Sequence, residues 1–386
     1  MKSLKSKIVA GALAFTLVGG AFAINPNVAE ADSKPLYIKK VFNKPAEGVT
    51  TPTETFTFKF TAHSKNDDVA LVGEVPAVED ITIAYTAADD NDNDTKVDGK
   101  QLIKESADAL AKVAWTAAAQ YTYDVAETAG TTKDLTYSKA TYRVSVFVEK
   151  TAEGKFEVTN IQVKKLKDDQ GNEVQDGKEE YKPGTGDDKA GNKLAFENNY
   201  DKKDGNETPG GGTEIKDEDK KGFALRKTIK DENPSSTDEF KFKFKVERPV
   251  GTKSADTEFT YTLVKNGEAQ AKQNGKYEED IELTLRHNDR VVFNDVLIGS
   301  KLTVNETDAG VYTGSVKESL FNGTAGQANT GIIGDQNGGN FVDYENKKQT
   351  PTGLLIDNLP FIALVAVAGA GIFFFVKNRK EEEAYA

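Results

Sequence analysis

Three residue types recur twice in the same order along this chain, and together they can make a bond. An alternating strand carrying lysine comes first: Leu36 to Phe42 (LYIKKVF), and again Phe223 to Ile229 (FALRKTI). A strand ending in glutamate follows: Tyr121 to Glu127 (YTYDVAE), then Lys301 to Glu306 (KLTVNE). An aromatic-Glu-Asn triplet closes each segment: Phe196-Glu197-Asn198, then Tyr344-Glu345-Asn346. A neutral lysine amine can attack an asparagine side-chain carbonyl and expel ammonia, leaving an isopeptide bond. Burial supplies the neutral amine, because desolvation lowers a lysine pKa. Burial also raises a glutamate pKa. A buried glutamate then stays protonated, hydrogen-bonds the amide oxygen and carries a proton to the departing nitrogen. Tyr121, Tyr123, Phe196 and Tyr344 are the aromatic neighbours expected to keep water out. Each bond forms once, so this is maturation and not turnover, and the chain is not read as an enzyme.

The strands must decide which lysine and which asparagine point inward. Lys39 adjoins Lys40, Arg226 adjoins Lys227, and Asn199 adjoins Asn198. Neighbours on a strand face opposite sides. Lys40 and Lys227 alternate in step with the apolar residues around them, which favours the inward face. A second strand also repeats, as Phe56 to Phe60 (FTFKF) and Phe240 to Val246 (FKFKFKV). Four matched landmarks in one order mark an internal duplication. Tyr142 to Val148 (YRVSVFV), Phe259 to Val264 and Val291 to Val296 supply further strands. Short alternating strands separated by turns predict two tandem all-β sandwich domains, 34–200 and 221–348. The polar, glycine-rich stretch 201–220 reads as a flexible linker. Ser106 to Gln120 has helix propensity and predicts a short helix or insertion, with Trp115 in the core.

Composition closes off other chemistries. A net charge of -12 argues against nucleic acid as a partner. There is no cysteine, hence no disulfide and no Cys-based zinc site. His63 and His287 are the two histidines, little material for general-base catalysis. Asp90, Asp92 and Asp94 start like a calcium loop. Thr95 then stands where glycine is required, and Gln101 where the bidentate glutamate belongs. The expectation is a solvated acidic loop, no metal and no cofactor.

The two ends read as addresses. Residues 1–31 have the form of a secretory signal: Lys2, Lys5 and Lys7, then an apolar run from Ile8 to Ala23. The expected cut follows Ala31, with Ala23 as the alternative. Near the other end comes QTPTG, residues 349–353, followed by an apolar span, 354–376, long enough to cross a bilayer as a helix. Lys377, Arg379 and Lys380 in the tail, 377–386, favour a cytoplasmic end.

That C-terminal order resembles the cell-wall sorting signal of Gram-positive surface proteins. The resemblance implies that a sortase cuts between Thr352 and Gly353 and passes the Thr352 carbonyl to an amine. Glutamine in place of leucine, and proline beside the threonine, resemble the E/Q-x-P-T-G variant of some streptococcal pilins. This implies a dedicated, class C-type pilus sortase. From about Lys34 onward, the repeated lysine–glutamate–asparagine order is similar to the isopeptide-linked major (backbone) pilins of the streptococcal T-antigen type.

The resemblance implies Ig-like, CnaB-type sandwiches. It implies a first triad of Lys40, Glu127 and Asn198 and a second of Lys227, Glu306 and Asn346, with the glutamates catalytic. It also places the lysine that accepts the next subunit in the loop before the last strand of the first domain. Lys182, Lys189 and Lys193 lie there, and Lys193 is nearest the matching place. The implied partners are the pilus sortase, identical and accessory pilins, peptidoglycan and a host surface ligand. The implied location is a secreted, wall-anchored pilus (fimbrium) after transient membrane anchoring. Crosslinks would close loops of 198−40 = 158 and 346−227 = 119 positions. By analogy with disulfides, each would stabilise by about 4–5 kcal/mol. Two rivals remain: a wall-anchored adhesin that is never polymerised, and a surface hydrolase built on two carboxylates, which no residue pair marks.

Overall fold

The computed structural model describes residues 33–175, 177–181, 193–336 and 338–348. The signal segment 1–31, Lys182, Lys189, the QTPTG motif with Thr352 and Gly353, the apolar span 354–376 and the tail 377–386 lie outside the described residues.

The described chain is all-β and builds two bodies. The strands of the first are β1 (Lys39–Asn43), β2 (Glu54–Lys65), β3 (Ile81–Tyr85), β4 (Gln101–Glu105), β5 (Ala119–Thr128), β6 (Leu135–Thr136), β7 (Thr141–Lys150), β8 (Phe156–Lys167), β9 (Glu179–Glu180) and β10 (Ala195–Tyr200). They form two sheets, ordered β4-β1-β10-β6 and β3-β2-β5-β7-β8-β9. A short strand, β11 (Lys203–Asp204), follows. The second body contains β12 (Ala224–Lys230), β13 (Phe240–Glu247), β14 (Glu258–Lys265), β15 (Glu268–Ala269), β16 (Gln273–Lys276), β17 (Asp280–Leu285), β18 (Arg290–Leu297), β19 (Lys301–Asp308), β20 (Tyr312–Phe321), β21 (Thr324–Gly326), β22 (Thr330–Ile332) and β23 (Phe341–Lys348). Here the sheets run β15-β14-β18-β12-β23-β20-β21 and β17-β13-β19-β22.

Alternation explains the layering. In β13 the residues Phe240, Phe242, Phe244 and Val246 are buried, while Lys241 between them is exposed. A strand turns successive side chains to opposite faces, so such a sequence lays one apolar face on the facing sheet. Phe56 and Phe58 of β2 do the same in the first body. In both bodies the first and last strands lie side by side and parallel: β1 on β10, and β12 on β23.

Two expectations fail. The stretch 106–120 contains no helix. Its backbone pairs with the chain just before β1 instead: Ser106 N–H reaches the Ile38 carbonyl at 2.9 Å and Ala109 N–H the Leu36 carbonyl at 2.8 Å. That pairing buries Ala109 and Leu110, which outweighs a weak intrinsic propensity. Trp115 is only half-buried, at the core margin against Tyr121, ring centroids 5.1 Å apart.

The stretch 201–220 is not a free linker but is laid on the second body. β11 pairs with β18, and Asp219 forms a fully buried ion pair with Arg290. Arg290 also reaches the Gly210 carbonyl at 2.9 Å, and Asn206 Nδ2 donates to Asp219 at 2.8 Å. Polar composition hid this, because the anchor is a buried charge pair rather than apolar burial. From the other side, Ala46 and Val49, in the turn between β1 and β2, pack into the second core.

Candidate functional site

Each body holds one lysine, one glutamate and one asparagine together between its two sheets. In the first, Lys40 on β1 and Asn198 on β10 come from one sheet, and Glu127 on β5 reaches across from the other. In the second, Lys227 on β12 and Asn346 on β23 share a sheet, and Glu306 on β19 faces them. The registers coincide. Lys40 lies opposite Phe196 and Phe42 opposite Asn198. Lys227 lies opposite Tyr344 and Ile229 opposite Asn346. Phe58 pairs with Glu127 as Phe242 pairs with Glu306. Each asparagine therefore sits one inward position along from its lysine, within reach of a long side chain.

All three groups in the first body are out of water: Lys40, Asn198 and the Glu127 side chain are each 0% exposed. Lys40 Nζ stands 2.6 Å from Glu127 Oε2. Asn198 Nδ2 donates to Glu127 Oε1 at 2.7 Å. Ser138 N–H donates to Asn198 Oδ1 at 2.7 Å. A backbone N–H can only donate, so this contact fixes the amide with its oxygen toward Ser138 and its nitrogen toward Glu127. In the second body, Asn346 Nδ2 donates to Glu306 Oε1 at 2.7 Å, and Lys227 Nζ stands 3.3 Å from the same oxygen. Lys227 and Asn346 are 0% exposed, and among the described residues neither Lys227 Nζ nor Asn346 Oδ1 has a hydrogen-bond partner.

In the first site, where the Ser138 N–H fixes the amide, the glutamate addresses the amide nitrogen and not the expected amide oxygen. In the first site the two carboxyl oxygens are divided. Oε2 faces the amine and Oε1 the nitrogen that would leave, so one carboxyl can take a proton on one side and give it on the other.

Burial pulls the Lys40 and Lys227 amines down to about 8, against a partial offset from Glu127 and Glu306. Burial pushes Glu127 and Glu306 up, against the offset from their lysines. Burial thus shifts both members of each pair in the direction of their uncharged forms.

The rings over the amines are not all the expected ones. Lys40 Nζ lies 4.3 Å from the Phe56 centroid and 6.0 Å from that of Phe58. Lys227 Nζ lies 4.2 Å from Phe240, 6.0 Å from Phe242 and 5.6 Å from Tyr344. Phe196 packs on Phe58 at 4.9 Å. Tyr121 and Tyr123 turn their hydroxyls to the Ala117 and Pro76 carbonyls instead. The repeated FTFKF and FKFKFKV strands were the available signal for these rings.

Two further residues escaped the sequence. A Cβ on Gly314 of β20 would lie 1.9 Å from Glu306 Oε2 and 2.6 Å from Asn346 Oδ1, so glycine there makes the room the carboxyl occupies. Asp169 accepts from Ser138 Oγ at 2.6 Å and from Glu197 N–H at 2.8 Å, next to the first asparagine. Such cross-strand neighbours depend on register, which spacing alone does not supply.

The flanking residues do other work. Arg226 pairs with Asp343 at 2.7 Å, and Asn199 accepts from Asn43 Nδ2 at 3.1 Å. Lys193 is exposed, two residues before β10. In the acidic run, Asp90 meets Lys44 at 2.6 Å and Asp89 meets Lys104 at 2.7 Å. Among the described residues, no group of three or more His, Asp or Glu side chains is placed to hold a metal ion.

Residues 221–348 match a family model described as a domain of unknown function (DUF7601). No curated protein matches the chain. The solved structures it is similar to include the T3.2 major pilin of Streptococcus pyogenes serotype GAS13637. That likeness has 17% identity, covers 83% of this chain and 99% of that one, and has a TM-score of 0.35. Another Streptococcus pyogenes major pilin matches at 17% identity, covering 82% and 99%, with a TM-score of 0.34. A pilus-presented adhesin, Spy0125 (Cpa), matches at 10% identity, covering 81% and 100%, with a TM-score of 0.23.

Proposed function

We propose that this chain is the repeating structural subunit of a covalent, sortase-assembled pilus on a Gram-positive cell surface. Its two bodies, of Ig-like CnaB type, are each crosslinked by a Lys–Asn isopeptide bond. One observation carries the reading: a fully buried lysine and asparagine, joined through a glutamate, occur twice at matching registers on adjacent first and last strands. A buried amine is costly unless something uses it.

The chemistry balances without a cofactor. The neutral amine of Lys40 or Lys227 attacks Cγ of Asn198 or Asn346. The glutamate gives its proton to the amide nitrogen, the C–N bond breaks and ammonia leaves. The proton shed by the new amide nitrogen returns to the glutamate. Tension then runs from first to last strand through a bond that no reductant opens, which suits a cysteine-free surface protein.

Assembly uses the chain's tail. A pilus sortase cuts between Thr352 and Gly353, and the Thr352 carbonyl passes to a lysine of an identical or accessory pilin, Lys193 being first in line. The last subunit goes to peptidoglycan. The test is a cell-wall extract boiled in detergent. A ladder of high-mass species that disappears in Thr352→Ala supports the polymer. A single monomeric band in the unaltered strain supports a non-polymerised wall adhesin instead.

A further inference from the structure

The two sites differ in one respect that the shared chemistry does not require. In the first, the asparagine oxygen is met by the Ser138 backbone N–H at 2.7 Å. In the second, Asn346 Oδ1 is buried and has no partner among the described residues. Attack on an amide carbon moves negative charge onto that oxygen, and a donor already aimed at it lowers the barrier.

The donor in the first site is clamped. A single oxygen, Oδ1 of Asp169, accepts from the Ser138 hydroxyl at 2.6 Å and from Glu197 N–H at 2.8 Å. One contact holds the donor's own residue, and the other holds the residue before Asn198. The carboxylate thereby sets the distance between donor and acceptor. The same loop is tied a third time, Lys139 N–H to the Asp169 carbonyl at 3.0 Å. Lys165 Nζ holds the other carboxylate oxygen at 3.2 Å. Ala140 N–H donates to Ser138 Oγ at 3.1 Å, completing the turn.

We propose that the Ser138 backbone N–H is an oxyanion donor for the first crosslink and Asp169 the positioning residue that aims it, so the Lys40–Asn198 bond forms before the Lys227–Asn346 bond. This rests on the crosslinking read above. It assigns the two bodies unequal maturation: the first locks during folding, and the second closes later without a donor on its oxygen. Asp169 touches neither reacting atom and acts through Ser138 and Glu197. Its negative charge also favours the protonated form of Glu127.

The test is a time course on the full chain made by cell-free synthesis. Samples are quenched into acidic denaturant at intervals, digested, and each branched peptide is quantified by mass spectrometry. The unaltered chain should show the Lys40–Asn198 peptide first. Asp169→Ala and Ser138→Ala should each slow that peptide by about tenfold or more, leaving Lys227–Asn346 unchanged. Ser138→Thr, which keeps the hydroxyl, should restore the rate. Simultaneous appearance of both bonds in the unaltered chain would overturn the proposal. So would an unchanged first bond in Asp169→Ala, or equal slowing of both bonds. If neither branched peptide ever formed in the unaltered chain, the crosslinking itself would be wrong, and this inference would fall with it.

Discussion

Gly314→Ala tests the second site by filling it. The added Cβ would lie 1.9 Å from Glu306 Oε2, where contacts under 3.0 Å are essentially never seen. The carboxyl must therefore retreat by at least 3.0−1.9 = 1.1 Å. Gly314 does not sit in the left-handed region, so alanine strains nothing in the backbone itself. A reacting group displaced by 1 Å can lose about 100-fold in rate. The second crosslink should slow by about that factor while the first, in the other body, keeps its rate. Until it closes, the second body lacks the restraint of a 119-position loop, about 5 kcal/mol by the disulfide analogy. That corresponds to a melting transition lower by roughly 15–20 °C. The assay pairs intact mass against time with calorimetry, and Gly73→Ala, where a Cβ meets nothing within 4 Å, serves as control. If Gly314→Ala sheds its second ammonia as fast as the unaltered chain, the carboxyl's place beside Gly314 is not what drives the reaction.

Glu127→Ala and Glu306→Ala should each lie one ammonia above the mass calculated for that variant with both crosslinks formed, and the double variant two; a variant found at its fully crosslinked mass rejects the proton-carrier role of that glutamate. The pH dependence of stability follows from the amines in Asn198→Ala with Asn346→Ala, which cannot crosslink. Lys40 and Lys227 titrate near 8 when folded and near 10.5 when unfolded, so between those values the unfolded chain holds more protons. Stability should then rise with pH across that window, compared with the same chain carrying Lys40→Met and Lys227→Met. A flat difference in denaturant midpoint would mean that the amines are not neutralised by burial. The raised carboxyls have the opposite sign: stability should fall as pH rises through their titration above the ordinary glutamate value.

Much of this site is written in short-range pattern. Leu36, Ile38, Lys40 and Phe42 alternate as one face of a strand, and all four are buried. Lys39, one step off, is only half-buried. The duplication did the rest, because Glu127 and Glu306 stand out only when the two segments are read against each other. What stayed hidden depends on which strands become neighbours. Gly314 matters because β20 pairs with β23 opposite Asn346. Ser138 matters because the turn after β6 folds back over β10. The stretch 106–120 failed for the opposite reason: its local preference is real but weaker than the backbone partners offered by Leu36 and Ile38. Asp219 was hidden among surface acids because its partner Arg290 lies 71 positions away.

The most direct measurement is the mass of the recombinant chain from residue 32 to 348, followed by sequencing of its branched peptides. The expected mass is two ammonias below that calculated from the sequence, with one branch joining Lys40 to Asn198 and the other Lys227 to Asn346. A mass equal to the calculated one, with all four residues recovered in linear peptides, would contradict it.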